Sequence, residues 1–402
     1  MSRRLTLGGW NRRPQDAGSE AGVLEPRKVA EIRPLQRQDV REVAALYELV
    51  MRSGRSTPAP GLAPYFERLL FDQPWADPEL PGLVALDAEG RIVASQASHT
   101  RRGRFDGRAI RLTGIGQLVA HPEARTGTVG RALVNAQFAG VQDLTLTDTA
   151  TAAVQRLGVM TGATVSHLSC IGWVRIMRPL QLAQASARAW RDARRPPAAT
   201  RLVAGLDRAL AKSVPVLPAP ACPDVQAEPL TPAGLVEHLP LVSDRLRLYV
   251  DYDVPYVTWL FAELARLAGL GTLLARLVRT RRGRALGWYV CMPKRGGSCR
   301  VLQVAAPERH VGQVLDHLLH EAWLGGAANV QGRVEPRLLE PLAVRRCLML
   351  YRGGALLYGD AAMLGAIATG DALLTRMDGE WWVQDEMVDL SRRCLRSRVG
   401  NS

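Results

Sequence analysis

The sequence predicts a mixed α/β protein of two consecutive domains, each a central mixed sheet flanked by helices. Three observations carry this. The 402 residues exceed one ordinary domain and suit two. Short β-rich runs alternate with stretches of helical periodicity, the pattern of an α/β layer architecture. The pattern of the first half then starts again in the second. "VQAEPLTPAGLVEHLPLV" follows "VAEIRPLQRQDVREVAALYEL", "GRALGWYVCMP" follows "GRIVASQAS", and "CRVLQVAAPERHVGQVLDHLL" follows "GIGQLVAHPEARTGTVGRALV". Pro34 and Pro229, Gly90 and Gly283, and Pro122 and Pro307 stand 195, 193 and 185 residues apart, in order.

Residues 1–28 form a basic lead-in expected to be disordered. The first domain, 29–180, opens with a short strand and a helix that starts at Asp39 as N-cap. Val40, Val43, Ala44, Tyr47 and Met51 fall on one face of that helix. "GLVALDAEGRIVASQASHTRR" reads as two strands joined at "AEGR". "RAIRLTGIGQLVA" is a strand pair or one long strand. The turn "HPEARTG", the helix "GRALVNAQFAG", the strand "DLTLTD", the helix "TATAAVQRLGVMTG" and the strand "TVSHLSCIGWVRIMRP" complete the domain. Residues 181–222 are rich in Ala, Arg and Pro and read as a linker. Residues 223–385 repeat the domain, and 386–402 form a tail.

Hydrophobic residues make up 47% of the chain, enough for two cores. The formal net charge is +14, nearly all of it arginine, since Lys28, Lys212 and Lys294 are the only lysines. Such a field attracts anions without choosing among them. Nucleic acid is disfavoured as a partner, because no recognition motif or interleaved aromatics accompany the charge. The six cysteines form no Cys-x-x-Cys pair and read as reduced thiols of a cytoplasmic protein. The N-terminus lacks the apolar core of a secretory signal. No transmembrane segment is expected: "YVTWLFAELARLAGLGTLLARLV" is interrupted by Glu263, Arg266 and Arg276 and reads as a packed amphipathic helix. "HLLHEAW" sets His317, His320 and Glu321 close together but supplies no third ligand at a metal-site spacing, so no metal is expected.

The stretch with functional content is "LVAHPEARTGTVGRALV". A strand that runs through a glycine-containing turn into a helix leaves the first helical N–H groups unpaired, and with the helix dipole these attract anions. Gly127 and Gly130 let backbone approach phosphate oxygens, while Arg125 and Arg131 supply charge. The loop is neither a Walker loop nor G-x-G-x-x-G. Locally, a plain strand–turn–helix connection with basic residues is an equal reading.

The order of elements around this loop resembles the acetyl-CoA signature of the GNAT (GCN5-related N-acetyltransferase) superfamily, in which Arg-x-x-Gly-x-Gly/Ala follows a strand and opens a helix. Pro122, Arg125 and Gly130 match, while Gly127 and Thr128 depart from the usual Gln and Gly. The resemblance covers residues 30–180 and, more weakly, 223–385. It implies acetyl-CoA as acyl donor. The backbone of Leu118, Val119 and Ala120 would run beside the pantetheine arm. The amides of Arg125, Thr126, Gly127, Thr128, Val129 and Gly130, with Arg131, would hold the pyrophosphate. The thioester would lie near Gln117 and the end of "DLTLTD".

A substrate amine or hydroxyl would then attack directly, which asks of the protein positioning, a base and an acid. Val154 stands where the family's acid tyrosine is usual, and Gln117 where a glutamate base is common. Asp148 is the remaining carboxylate, with N-capping of the following helix as its other reading. His121 lies in the turn, and His99 and His167 have no assigned role. The second half keeps only Gly312 and Arg309 in the loop's place and is expected to shape a cleft or interface. "MDGEWW" (377–382) reads as a ring-binding cluster or as packing at a strand end. The whole pattern is similar to bacterial GNAT-like proteins of polysaccharide gene clusters, which implies a small-molecule or glycan-precursor acceptor. A tandem aminoglycoside-acetylating type is a second option, and a non-catalytic acyl-CoA-binding scaffold is the alternative class.

Overall fold

The structure is a computed structural model that describes residues 29–52, 54, 56–124, 128–182, 219–220, 222–267 and 269–379. The lead-in, nearly all of the linker, the tail, Arg125–Gly127 and the "EWW" of 380–382 lie outside the described residues.

The first half holds β1 (Glu31–Pro34), α1 (Val40–Tyr47), α2 (Leu62–Leu70), β2 (Leu83–Leu86), β3 (Ile92–Phe105) and β4 (Arg108–Ala120). There follow α3 (Val129–Phe138), β5 (Leu144–Thr147), α4 (Ala152–Met160), β6 (Thr164–Val165) and β7 (Ile171–Ile176). The second half begins with β8 (Gln226–Pro229), α5 (Pro232–His238), β9 (Leu248–Val250), α6 (Val254–Arg266), β10 (Leu274–Arg279) and β11 (Ala285–Met292). It continues with β12 (Ser298–Ala305), α7 (Glu308–Leu324), β13 (Asn329–Arg333), β14 (Leu348–Tyr351), β15 (Leu356–Gly359), α8 (Ala361–Thr369) and β16 (Ala372–Leu373).

Two mixed sheets result. The first has nine strands, in the order β1-β2-β3-β4-β5-β15-β6, with β9 beside β3 and β16 beside β9. The second has seven, in the order β14-β7-β13-β12-β11-β10-β8. The halves therefore exchange strands. β15 pairs with β5 and β6 of the first half, while β7 inserts between β13 and β14 of the second. The run "TVSHLSCIGWVRIMRP" is accordingly split: its start joins one sheet and its end the other.

One core spans both halves. Leu62, Tyr65, Phe66 and Leu69 of α2 bury one face against a cluster that includes Leu235 of α5 and Tyr256, Leu260 and Leu264 of α6. Trp75 stacks on Tyr256 with ring centroids 3.6 Å apart and an interplanar angle of 3°. Its Nε1 donates to Asp253 Oδ2 at 2.8 Å. An aromatic pair of this kind adds about 1 kcal/mol beyond its buried area.

Three local readings are corrected. Helix α2 has no counterpart in the sequence reading. The apolar run at 256–278 is not one helix: α6 ends at Arg266 and the rest forms β10. Gly271, between them, has φ +135°, and a Cβ there would stand 2.4 Å from Pro293 O, so the chain turns where only glycine fits. Asp39 does not cap α1. Gln36 caps the preceding 3₁₀ turn, and the Asp39 carboxylate accepts from Gln36 N at 2.8 Å and from Arg33. Among the described residues no helix is long and apolar enough to cross a membrane.

Candidate active site at the splay of the first sheet

β4 and β5 run parallel and pair only at Leu112–Gly114 with Leu144–Leu146. Beyond these residues the strands separate. On its other side β4 bulges: Gly116 faces Ala97 and Val119 faces Ser95, so Gln117 and Leu118 together oppose the single residue Gln96. Gln117 takes a left-handed conformation, φ +48°, which an L residue adopts only at a cost in free energy. The bulge redirects the strand and aims Gln117 into the gap, a common use of bulges near functional sites.

The gap is a cavity of about 90 Å³. Tyr47, Gln96, Gln117, Thr147, Thr149 and Val154 contribute to its lining. At its back, Gln117 Oε1 accepts from His99 Nε2 at 3.0 Å. Burial, reinforced by the charge of Arg101, lowers the His99 pKa to about 4. The ring is therefore neutral at pH 7, and its one proton faces the amide oxygen. This fixes the Gln117 amide and leaves its Nε2 buried without a hydrogen-bond partner. Gln96, 1% exposed, has neither side-chain polar atom hydrogen-bonded. Unsatisfied buried donors and acceptors are rare in folded proteins, and here two amides converge on one cleft. Tyr47 adds a hydroxyl that forms no hydrogen bond among the described residues, and burial raises its pKa to about 12. It stays protonated across the physiological range.

At the mouth of the cleft α3 begins. Thr128 is its N-cap but makes no side-chain capping bond. Val129 is buried, Gly130 is half-buried against Leu157 of α4, and Arg131 is exposed. Leu118, Val119 and Ala120 form the last part of β4 leading to the turn. Arg125, Thr126 and Gly127 lie outside the described residues.

Asp148 follows β5 and is nearly buried. Thr151, not Asp148, caps α4: Val154 N donates to Thr151 Oγ1. Asp148 instead faces Arg333 Nη1 at 3.7 Å, on the other side of the chain from the 90 Å³ cavity. It is thus not brought together with Gln117 in one cavity. Tyr47 and Gln96 were missed as site residues. The helical face read at Val40–Met51 included Tyr47, but only as core, and nothing local marked Gln96. Of the "HLLHEAW" residues, Glu321 pairs with Arg276 at 2.8 Å and accepts from Tyr289 OH, while His317 lies 3.0 Å from the same hydroxyl.

Neither a protein-family model nor a curated protein matches the sequence. Solved structures do. One is a conserved protein of unknown function from Enterococcus faecalis V583, described as a probable N-acyltransferase. Its TM-score is 0.53 at 10% identity, over 85% of this chain and 73% of that one. Another is a GCN5-related N-acetyltransferase from Anabaena variabilis ATCC 29413, with a TM-score of 0.52 at 12% identity, over 81% of this chain and 72% of that one. At such identities the likeness concerns the fold. The chain has the GNAT fold, in an arrangement of two mixed sheets flanked by helices that is consistent with tandem GNAT-like domains.

Proposed function

We propose that the protein is an acyltransferase that moves an acetyl or longer acyl group from acyl-CoA to an amine or hydroxyl of a small molecule or glycan precursor. We further propose residues 29–180 and 223–385 as the two duplicated units, with acyl-CoA bound by the first. The observation that carries this reading is the splay of β4 from β5 at the bulged Gln117, in front of a helix N-terminus without a side-chain cap. The separated strand can pair with an amide-bearing arm by strand addition, and the N-terminal turn of α3, with its dipole, suits a pyrophosphate. Leu118, Val119 and Ala120 take the first role. Thr128, Val129, Gly130 and Arg131, with Arg125–Gly127, take the second.

The bound thioester supplies the acyl group. The Gln117 amide Nε2, held by His99, donates to the carbonyl oxygen as negative charge develops there. His99 is a positioning residue. Tyr47, kept protonated by burial, supplies the proton for the departing thiolate. As the acceptor's nitrogen or oxygen bonds to the acyl carbon and the C–S bond breaks, the acceptor's proton passes to solvent water, since Asp148, the carboxylate proposed from the sequence as base, lines the other cavity.

The test is calorimetric titration of acetyl-CoA into the wild type and Gly130→Glu, followed by thiol release. A Cβ at Gly130 meets only the end of the Leu157 side chain, at 3.3 Å, so the variant can fold while placing a negative charge at the phosphate site. We expect binding weakened by about a hundredfold or more, roughly 2.7 kcal/mol. No binding by the wild type overturns the proposal. Binding without thiol release against a broad acceptor set leaves an acyl-CoA-binding scaffold.

A further inference from the structure

A second cavity, of about 270 Å³, lies behind the first. Thr147 and Thr149 line the cleft at Gln117, whereas Asp148 between them lines this one, as alternation along an extended chain requires. The cavity exists because the halves exchange strands: Ile171 and Gly172 come from β7, Arg300 from β12 and Arg333 from β13. Four arginines, Arg300, Arg333, Arg352 and Arg376, meet a single carboxylate, Asp148, among its described lining.

Two of these guanidinium groups are uncommitted. Arg300 and Arg352 form no hydrogen bond or ion pair with described residues, although partly buried Arg300 sits at the last paired position of β12 with β13. Arg333 spends Nη2 on Leu374 O at 2.7 Å, yet its buried Nε has no hydrogen-bond partner. Arg300 is half-buried and Arg352 exposed, so both are open to a ligand, and an anion between them would also pair the buried Nε of Arg333.

We propose that this cavity holds a phosphate or diphosphate group of the acceptor substrate. The inference deepens the acyltransferase reading and rests on it for the word acceptor. The two guanidinium groups of Arg300 and Arg352, which no described carboxylate neutralises, select the class. Guanidinium forks match the tetrahedral oxygens of phosphate. The position places such an acceptor across residues 147–149 from the cleft assigned to the acyl donor, with Asp148 on the acceptor's side.

The experiment titrates inorganic pyrophosphate into the full chain carrying Gly130→Glu, which closes the cofactor loop to phosphate. The comparison is the same chain with Arg300→Gln and Arg352→Gln added. Thermal unfolding confirms that each variant is folded. We expect affinity to fall by about tenfold or more. Arg300→Lys with Arg352→Lys, which keeps the charge but not the forks, should recover only part of that loss, and malonate should bind about tenfold more weakly than pyrophosphate. Pyrophosphate binding that is absent, or unchanged by the glutamine pair, overturns the proposal, and equal binding of malonate overturns the phosphate class. Acetyl-CoA titration of the wild type fails separately: its loss sinks the acyltransferase reading and leaves the pyrophosphate result as that of an anion site.

Discussion

Both sheets splay at the same place, and only one of the two clefts is left open. In the second half β12 and β13 pair in parallel at Ser298–Arg300 with Asn329–Gln331 and then separate, as β4 and β5 do. β12 also bulges, with Leu302 as the extra residue, 185 positions after Gln117. There the likeness ends. Met377 N donates to Leu302 O at 3.1 Å, and Arg337 Nη2 donates to Val304 O. The chain's own segment thus lies against the edge that corresponds to the open edge of β4. The side chains of Trp288, Gln303 and Asp378 beside it are hydrogen-bonded rather than left open. Trp288 Nε1 donates to Gln303 Oε1 at 2.7 Å, and Gln303 Nε2 reaches Tyr252 OH and Thr375 Oγ1. Asp378 accepts from Tyr252 OH, from Thr375 N at 2.7 Å and from Thr375 Oγ1 at 2.8 Å. The same splay serves structure when its polar groups are paired internally, and leaves a site when they are not.

Gln117→Leu gives the first bulge the residue type of the second and should have the largest effect. Turnover is expected to fall by about 10²–10³, the scale of one lost oxyanion donor. Acetyl-CoA affinity should change by less than about threefold, because the proposed phosphate loop is untouched. Steady-state kinetics and calorimetry check the two halves of this expectation. Equal losses in both would make Gln117 a structural residue.

Asp378→Ala attacks the closed cleft instead. It strips three donors of a buried acceptor, and burial already pushes this carboxyl above its ordinary range. Stability should fall by about 3 kcal/mol in urea unfolding. Acetyl-CoA stoichiometry should remain one per chain. A second binding equivalent would show that the plug alone distinguishes the halves.

His99 gives a pH-dependent effect of similar or smaller size. Its folded pKa, about 4, lies below the ordinary 6.5. The unfolded chain therefore binds the extra proton between these values. The contribution is fully present above pH 6.5 and is lost as pH falls from 6.5 towards 4, up to about 3 kcal/mol. His99→Gln keeps a donor for Gln117 and removes the titration, so the slope of unfolding free energy over that window should flatten. An unchanged slope would mean that His99 is not held neutral.

The loop and its setting were legible because they are local. A strand and a helix follow one another in "LVAHPEARTGTVGRALV", and much of the element order could be read the same way. The strand exchange was not legible. Alternating burial tells that "CIGWVRI" has a buried face, but not which sheet covers it. Tyr47 and Gln96 reach the cleft from α1 and β3, and no spacing rule links them to Gln117. Asp148 was read from its position at the end of "DLTLTD". The side of the strand it faces depends on the register of β5, which only the folded chain fixes.

Tyr47→Phe carries the smallest expected effect and is the finest test of the difference between the clefts. The ring packs edge-on against Phe66, centroids 5.7 Å apart, and phenylalanine preserves that contact. The hydroxyl bonds to no described residue, so its removal should change stability by less than about 0.5 kcal/mol. If the hydroxyl protonates the thiolate, turnover should still fall by about tenfold or more, with KM for acetyl-CoA unchanged. Replacing the leaving group by a thiol of lower pKa, which departs without help, should shrink that loss. A rate loss insensitive to the leaving group would assign Tyr47 to shaping the cleft, and the acid would then have to be solvent entering past Val154, which also lines the cleft.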